Sequence, residues 1–156
     1  MNRRRMFTLA TVLIAFQATS ALAQQTGDVE GVKGASRAFY QTLSVLDDGT
    51  AMEKVWARTP YVTYLGPQGK SIIVGWDAQK KYWESFNKLF SQRNVSLVDV
   101  HTHANGNLAW EIGLETGQAQ MKDGSSKKVD WFATNVYEKL DGRWLMVSHH
   151  VQPKPQ

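Results

Sequence analysis

Apolar side chains recur at helical spacing early in this chain and at alternate positions towards its end. Val32, Ala35, Phe39, Leu43 and Leu46 follow one another at intervals of three or four, which predicts one helix over 28–48, ended by Gly49. Thr50-Ala-Met-Glu53 reads as a capping box that opens a short second helix, with Met52, Val55 and Trp56 inward and Pro60 as its stop. Tyr61 to Leu65 and Ser71 to Val74 read as two strands joined by the turn Gly66-Pro-Gln-Gly69. A third helix is expected over 76–90, presenting Trp76, Trp83, Phe86 and Phe90 on one face. Strands follow at 95–104, 108–121, 128–140 and 143–152, punctuated by Asn105-Gly106, Asp123-Gly124 and Asp141-Gly142. Asn-Gly and Asp-Gly suit the tight turns whose twist matches paired strands. The order α-α-β-β-α-β-β-β-β predicts an α+β domain: three helices packed on one face of a curved, mostly antiparallel sheet.

Register then decides which side chains meet. With two residues in every turn, Asn135 pairs with Ser148 and with Ile112, and His101 with Trp110. Alternation sorts the strands into two faces. One carries Asp99, His101, Trp110, Ile112, Trp131, Asn135, Tyr137, Ser148 and His150, with many bulky apolar neighbours; it is assigned to the helix side, as the lining of a pocket. The other carries Glu111, Gly113, Glu115, Val136, Val147 and His149 and is assigned to solvent or to a dimer surface. A single β-bulge would exchange the faces of a strand.

The two ends change the picture. Asn2-Arg-Arg-Arg5, a mostly apolar run to Ala23 and the small-x-small Ala21-Leu-Ala23 predict a secretory signal over 1–23. Export by the general secretory route is expected, with the twin-arginine route as the alternative, because Arg4-Arg5-Met-Phe7 resembles the twin-arginine core. Residues 24–156 then form a single domain in the periplasm or outside the cell. Removing the three signal arginines leaves 15 Lys and Arg against 14 Asp and Glu, so the basic balance makes no case for nucleic acid, nor for a membrane once the signal is gone. There is no cysteine, which excludes disulfides and thiol chemistry.

Three groups of residues carry candidate chemistry. Asp99 and His101 share a face, where a carboxylate can orient an imidazole as a general base; a solvated strand end is the plainer reading of the same pair. His150 with Asn135 and Tyr137 reads either as a polar cluster in the pocket or as satisfied core hydrogen bonds. The four histidines do not suggest a metal, since the outer strands that carry them stand ~14 Å apart across a four-stranded meander, at ~4.8 Å per strand. No phosphate-binding loop, nucleophile elbow or zincin motif is present, and no cofactor is expected.

The run Tyr61-VTYLGPQG-Gly69, the helix start Gly75-Trp-Asp77, Ala109-Trp110 and the closing Thr134-NVYEKLDGRWLMVSHH-His150 resemble the nuclear transport factor 2-like superfamily, in its SnoaL-like, ketosteroid-isomerase-like branch. The resemblance implies a cone-shaped domain, a deep pocket between helices and sheet, and a homodimer. It does not imply one activity, because that scaffold hosts isomerases, dehydratases, cyclases, hydrolases and binding modules. It brings Tyr40 to the place of the isomerases' oxyanion-hole tyrosine, but puts Tyr64-Leu-Gly66 where their general-base aspartate stands. The leading expectation is a pocket for a small apolar or aromatic molecule, lined by Tyr40, Trp110, Ile112, Trp131, Asn135, Tyr137, Ser148 and His150. A cofactor-independent isomerase, dehydratase or lyase using His150, Asp99 or His101 is the alternative, and a dimeric interaction domain with a filled pocket is the third.

Overall fold

The computed structural model describes residues 24–155; the signal expected at 1–23 lies outside them. A first helix, α1, covers 24–42 and is followed by a single 3-10 turn, Thr50–Lys54. Then come β1 (Thr63–Leu65), β2 (Ile73–Val74), α2 (Trp76–Asn87), β3 (Phe90–Asn105), β4 (Leu108–Met121), β5 (Ser126–Leu140) and β6 (Arg143–Pro153). They build one six-stranded sheet in the order β2-β1-β6-β5-β4-β3, antiparallel except where β1 runs parallel to β6. The α+β architecture expected from the pattern stands, with two helices rather than three.

The missing helix has a local cause. The expected capping box does not form: the Thr50 hydroxyl donates to Asp48, and Glu53 is taken by Lys80 at 2.6 Å. Asp47 instead accepts from the Gly49 and Ala51 amides, which holds a tight turn at Gly49, whose φ is 93°. Met52, Val55 and Trp56 are nevertheless buried as expected. The Ala57 amide donates to Met146 and the Met146 amide to Val55, docking this turn onto β6 like a short extra strand.

The core lies between the helices and one face of β3–β6. Trp56, Trp83, Phe39 and Tyr137 are its largest fully buried side chains; the rings of Phe39 and Trp56 meet edge to face, as do those of Tyr64, Trp83 and Phe86, and His149 packs between the two groups against Phe39 and Tyr64. Each such ring removed from water contributes roughly 1.5–3 kcal/mol, which lets a chain without disulfides hold together.

Three irregularities set the faces of the sheet. The β4–β5 loop has three residues, Lys122 to Gly124: the Gly124 amide donates to Met121, Gly124 takes φ 87°, and Met121 meets Ser125. This type I turn with a glycine bulge moves the register by one, so that Glu111, not Ile112, lies opposite Asn135. In β3 a bulge between Val98 and His101 holds Asp99 at φ 51°. In β6 the two-residue turn Asp141-Gly142 is as expected, with Leu140 opposite Arg143, but a bulge after Tyr137 inserts Val147 and pairs Asn135 with His149. The face assignment of β4, of β3 beyond Val98 and of β6 beyond Met146 is therefore reversed, while β5 keeps Trp131, Asn135 and Tyr137 on the helix side.

Candidate active site in the inner cavity

A cavity of about 330 Å³ opens between α2, the Gly66–Gly69 turn and the inner face of the sheet. Tyr82, Trp83 and Phe86 of α2 and Phe90 of β3 wall one side with aromatic rings; Val129, Trp131 and Val151 close the other. These positions follow from period: α2 places residues 82, 83 and 86 on one stripe, and β5 turns every second residue inward. Among apolar walls, three buried groups able to carry charge face the space, Glu115 of β4, His149 of β6 and Arg93 of β3, with Lys127 exposed at its edge.

Glu115 and His149 stand at the centre of a buried network. The Tyr40 hydroxyl donates to Glu115 Oε1 at 2.9 Å, and Asn135 Nδ2 donates to the Tyr40 oxygen at 3.2 Å. Asn135 Oδ1 is then the acceptor for His149 Nδ1 at 2.6 Å. The chain of donors assigns the proton of the neutral imidazole to Nδ1, which leaves the Nε2 lone pair facing Glu115 Oε1 at 3.5 Å. Two acceptors in contact call for one proton between them.

Burial sets where that proton sits. Glu115 is 3 % and His149 4 % exposed. Loss of solvent pushes the Glu115 carboxyl up to about 7, against the opposing hydrogen bond from Tyr40 and the charge of Arg93. It pushes the His149 imidazole down to about 3, helped by its neighbour His150. The pair is therefore not an ion pair despite its distance: His149 is neutral, and Glu115 exchanges a proton near neutrality. Burial, with Glu115 close by, raises Tyr40 well above the ordinary tyrosine value, so it remains a hydrogen-bond donor. Tyr64 stacks on His149 with ring centroids 5.5 Å apart and fixes the plane of the imidazole.

The residues expected to form the site divide. Trp131 lines the cavity. Tyr40 and Asn135 lie directly behind its polar wall as partners of Glu115 and His149. Tyr137 is buried on the same face but donates to Glu111 at 3.2 Å, towards a second hollow between α1 and β3. Trp110 and Ile112 stand exposed on the outer face. Ser148 accepts from Thr63 at 2.8 Å, and His150 is exposed on the outer side of β6. Asp99 and His101 are within 3.9 Å of each other, but their side chains are 86 % and 82 % exposed at the β3 bulge. The inward residues are instead Glu115, His149 and Arg93. One signal for them was present: the inner face carries Ala109, Gly113, Ala119 and Ala133, small side chains that leave room above the sheet, while the larger Trp110, Ile112 and Phe132 face outward. Among the described residues no group of three His, Asp or Glu side chains is placed to hold a metal ion.

A family model described as the SnoaL-like domain matches residues 32–152. The chain belongs to this family. The sequence matches no curated relative. Solved structures share the fold. A dehydratase candidate of the NTF2-like family from Streptomyces avermitilis is 21 % identical with a TM-score of 0.74, the match covering 84 % of this chain and 99 % of that one. An NTF2-like superfamily protein from Salmonella enterica is 20 % identical, TM-score 0.71, with 88 % and 94 % covered. A protein described as a candidate aromatic ring hydroxylase from Novosphingobium aromaticivorans is 14 % identical, TM-score 0.75, with 84 % and 92 % covered. The SnoaL-like scaffold with its buried aromatic clusters is consistent with a small-molecule-binding domain.

Proposed function

We propose that this SnoaL-like domain takes a small, largely apolar or aromatic molecule into the inner cavity and moves a proton on it without a cofactor, as an isomerase, dehydratase or lyase. One observation carries the reading: Glu115, a buried carboxyl facing the cavity, has its proton affinity raised to about 7 between a neutral imidazole and a phenol donor. A group that exchanges its proton near the working pH is suited to general acid–base catalysis. Ionised Glu115 takes a proton from carbon as that C–H electron pair shifts into the neighbouring bond. Returning the proton elsewhere on the molecule gives an isomerase; protonating a departing hydroxyl as water gives a dehydratase. His149 and Tyr40 position the carboxyl and answer its change of charge. The dehydratase name carried by one structural relative fits this class, at an identity that supports the fold alone.

Binding without turnover uses the same cavity, and one experiment separates the two. Native mass spectrometry of the purified protein identifies a co-purifying molecule, whose conversion is then followed. Glu115→Gln is expected to keep binding and lose at least ~10²-fold in turnover. Undiminished turnover in the variant would remove Glu115 from the chemistry, and no turnover in either protein reduces the domain to a binding module.

The same proposal places the domain outside the cytoplasm, on the reading of residues 1–23, and pairs it into a homodimer through the outer sheet face, where Trp110, Ile112 and Phe132 stand exposed together. Ile112→Glu should yield monomers in light scattering. A monomeric wild type at micromolar concentration would reject the dimer.

A further inference from the structure

Arg93 is a cation sealed inside the cavity wall with one arm unused. It is 4 % exposed. Its Nε donates to the Leu43 carbonyl at 2.5 Å and its Nη2 to Asn87 Oδ1 at 3.0 Å; Asn87 is itself tied to the Asp47 carbonyl at 3.1 Å. Both acceptors are uncharged. Among the described residues Nη1, itself covered from solvent, has no hydrogen-bond partner. The guanidinium carbon sits 5.0, 5.3 and 6.0 Å from the ring centres of Phe90, Phe86 and Trp83, all of which line the cavity with it.

Ring faces offset part of the cost of a buried cation, but they do not accept its N–H bonds, and an unmet charged donor in a dry site is expensive. Among the described residues no carboxylate lies within ion-pair distance of Arg93. We propose that Arg93 Nη1 receives the carboxylate of a small aromatic acid, the body of which lies against Trp83, Phe86 and Phe90. This inference rests on the reading that the cavity takes up a small molecule, and it names the class. A monoanion is favoured over a phosphate dianion because, among the described residues, Lys127 is the one other cation of the lining and is itself exposed. The fixed planar guanidinium supplies direction as well as charge. It would seat the acid group at one end of the cavity and leave the rest of the molecule to Glu115, the carboxyl of the wall.

Titration calorimetry with 2-naphthoate and its uncharged counterpart 2-naphthamide tests this. Wild type should bind the acid at least ~10-fold more tightly, the scale of one charge-assisted hydrogen bond in a dry site. Arg93→Met should bring the two affinities within about twofold, with the amide little changed. A crystal structure of the naphthoate complex needs no variant, and should put a carboxylate oxygen within hydrogen-bond distance of Nη1. Equal affinity of acid and amide for wild type, an undiminished preference in a folded Arg93→Met, or a carboxylate seated at Lys127 overturns the inference while leaving the cavity reading intact. If neither probe binds at millimolar concentration, the cavity reading falls, and this inference falls with it.

Discussion

The sheet carries two imidazole–carboxylate pairs, and they differ in almost everything but composition. His149 and Glu115 are 3.5 Å apart; His101 and Asp99 are 3.9 Å apart. The first pair is sealed beneath α1 and β1, each side chain tied to a named partner and each proton affinity displaced by loss of water. The second sits on a bulge in solvent. Water screens a charge pair there to a fraction of a kilocalorie and leaves both side chains free to turn away from each other. Residue types two apart on a strand are thus a weak indication of chemistry; the medium around them decides.

The largest expected effect tests that contrast directly. His149→Ala removes a ring packed between Phe39 and Tyr64 and orphans Asn135 Oδ1 in a dry site. Cavity and lost hydrogen bond together should lower the unfolding free energy by about 3 kcal/mol. His101→Ala should change it by less than about 0.5 kcal/mol. Urea denaturation of the two variants measures both, and comparable losses would mean that the buried network is misplaced.

Next in size is the pH dependence. Glu115 holds its proton more tightly folded, up to about 7, than unfolded, at the ordinary 4.5. Between those values the folded state binds more protons, so this group's contribution to stability falls as pH rises from 4.5 to 7 and stays low above. His149 acts in the opposite sense: it resists protonation down to about 3, so its contribution is lost as pH falls below 6.5. The histidine remains in Glu115→Gln, so its contribution cancels in the difference between variant and wild type. From pH 5 to pH 8 the stability of wild type should therefore drop relative to Glu115→Gln by roughly 2–3 kcal/mol. A flat difference for Glu115→Gln would show that the carboxyl titrates as it does in water.

How far the sequence foretold this can be argued from the same residues. The α1 stripe, the Asp141-Gly142 turn and the strand count were legible because periodicity and turn chemistry are local. The second helix failed because Asp47, outside the expected capping box, captured the amides at Gly49. Asn135 and Trp131 face inward as the alternation of β5 predicts, whereas Tyr40, on α1, was named through the family resemblance and not from strand periodicity. The choice of His150 over His149 and of Ile112 over Glu111 came from a three-residue loop where two residues were assumed, and from Val147, an inserted residue that only pairing with β5 reveals. A bulge has no strong local signature, yet each one turns a strand over. Apolar content misled as well, because the outer face of β4 is richer in large side chains than the inner one.

The smallest effect sharpens the comparison at a single hydroxyl. Tyr40→Phe keeps the ring against Phe39, 5.1 Å between centroids, and removes only the oxygen that joins Glu115 to Asn135. Stability should fall by about 1 kcal/mol, the scale of one buried hydrogen bond. The more telling change is in titration. The phenol donates to the ionised carboxylate and so holds the Glu115 proton affinity down against burial. Without it the carboxyl should titrate above its wild-type midpoint near 7, followed by the ¹³C shift of Glu115 in labelled protein. The exposed pair has no counterpart to this hydroxyl, since water supplies any donor that Asp99 needs. An unchanged or lowered midpoint in Tyr40→Phe would mean that another donor, Arg93 being nearest in charge, governs Glu115, and the acid–base assignment would have to be rebuilt around the guanidinium.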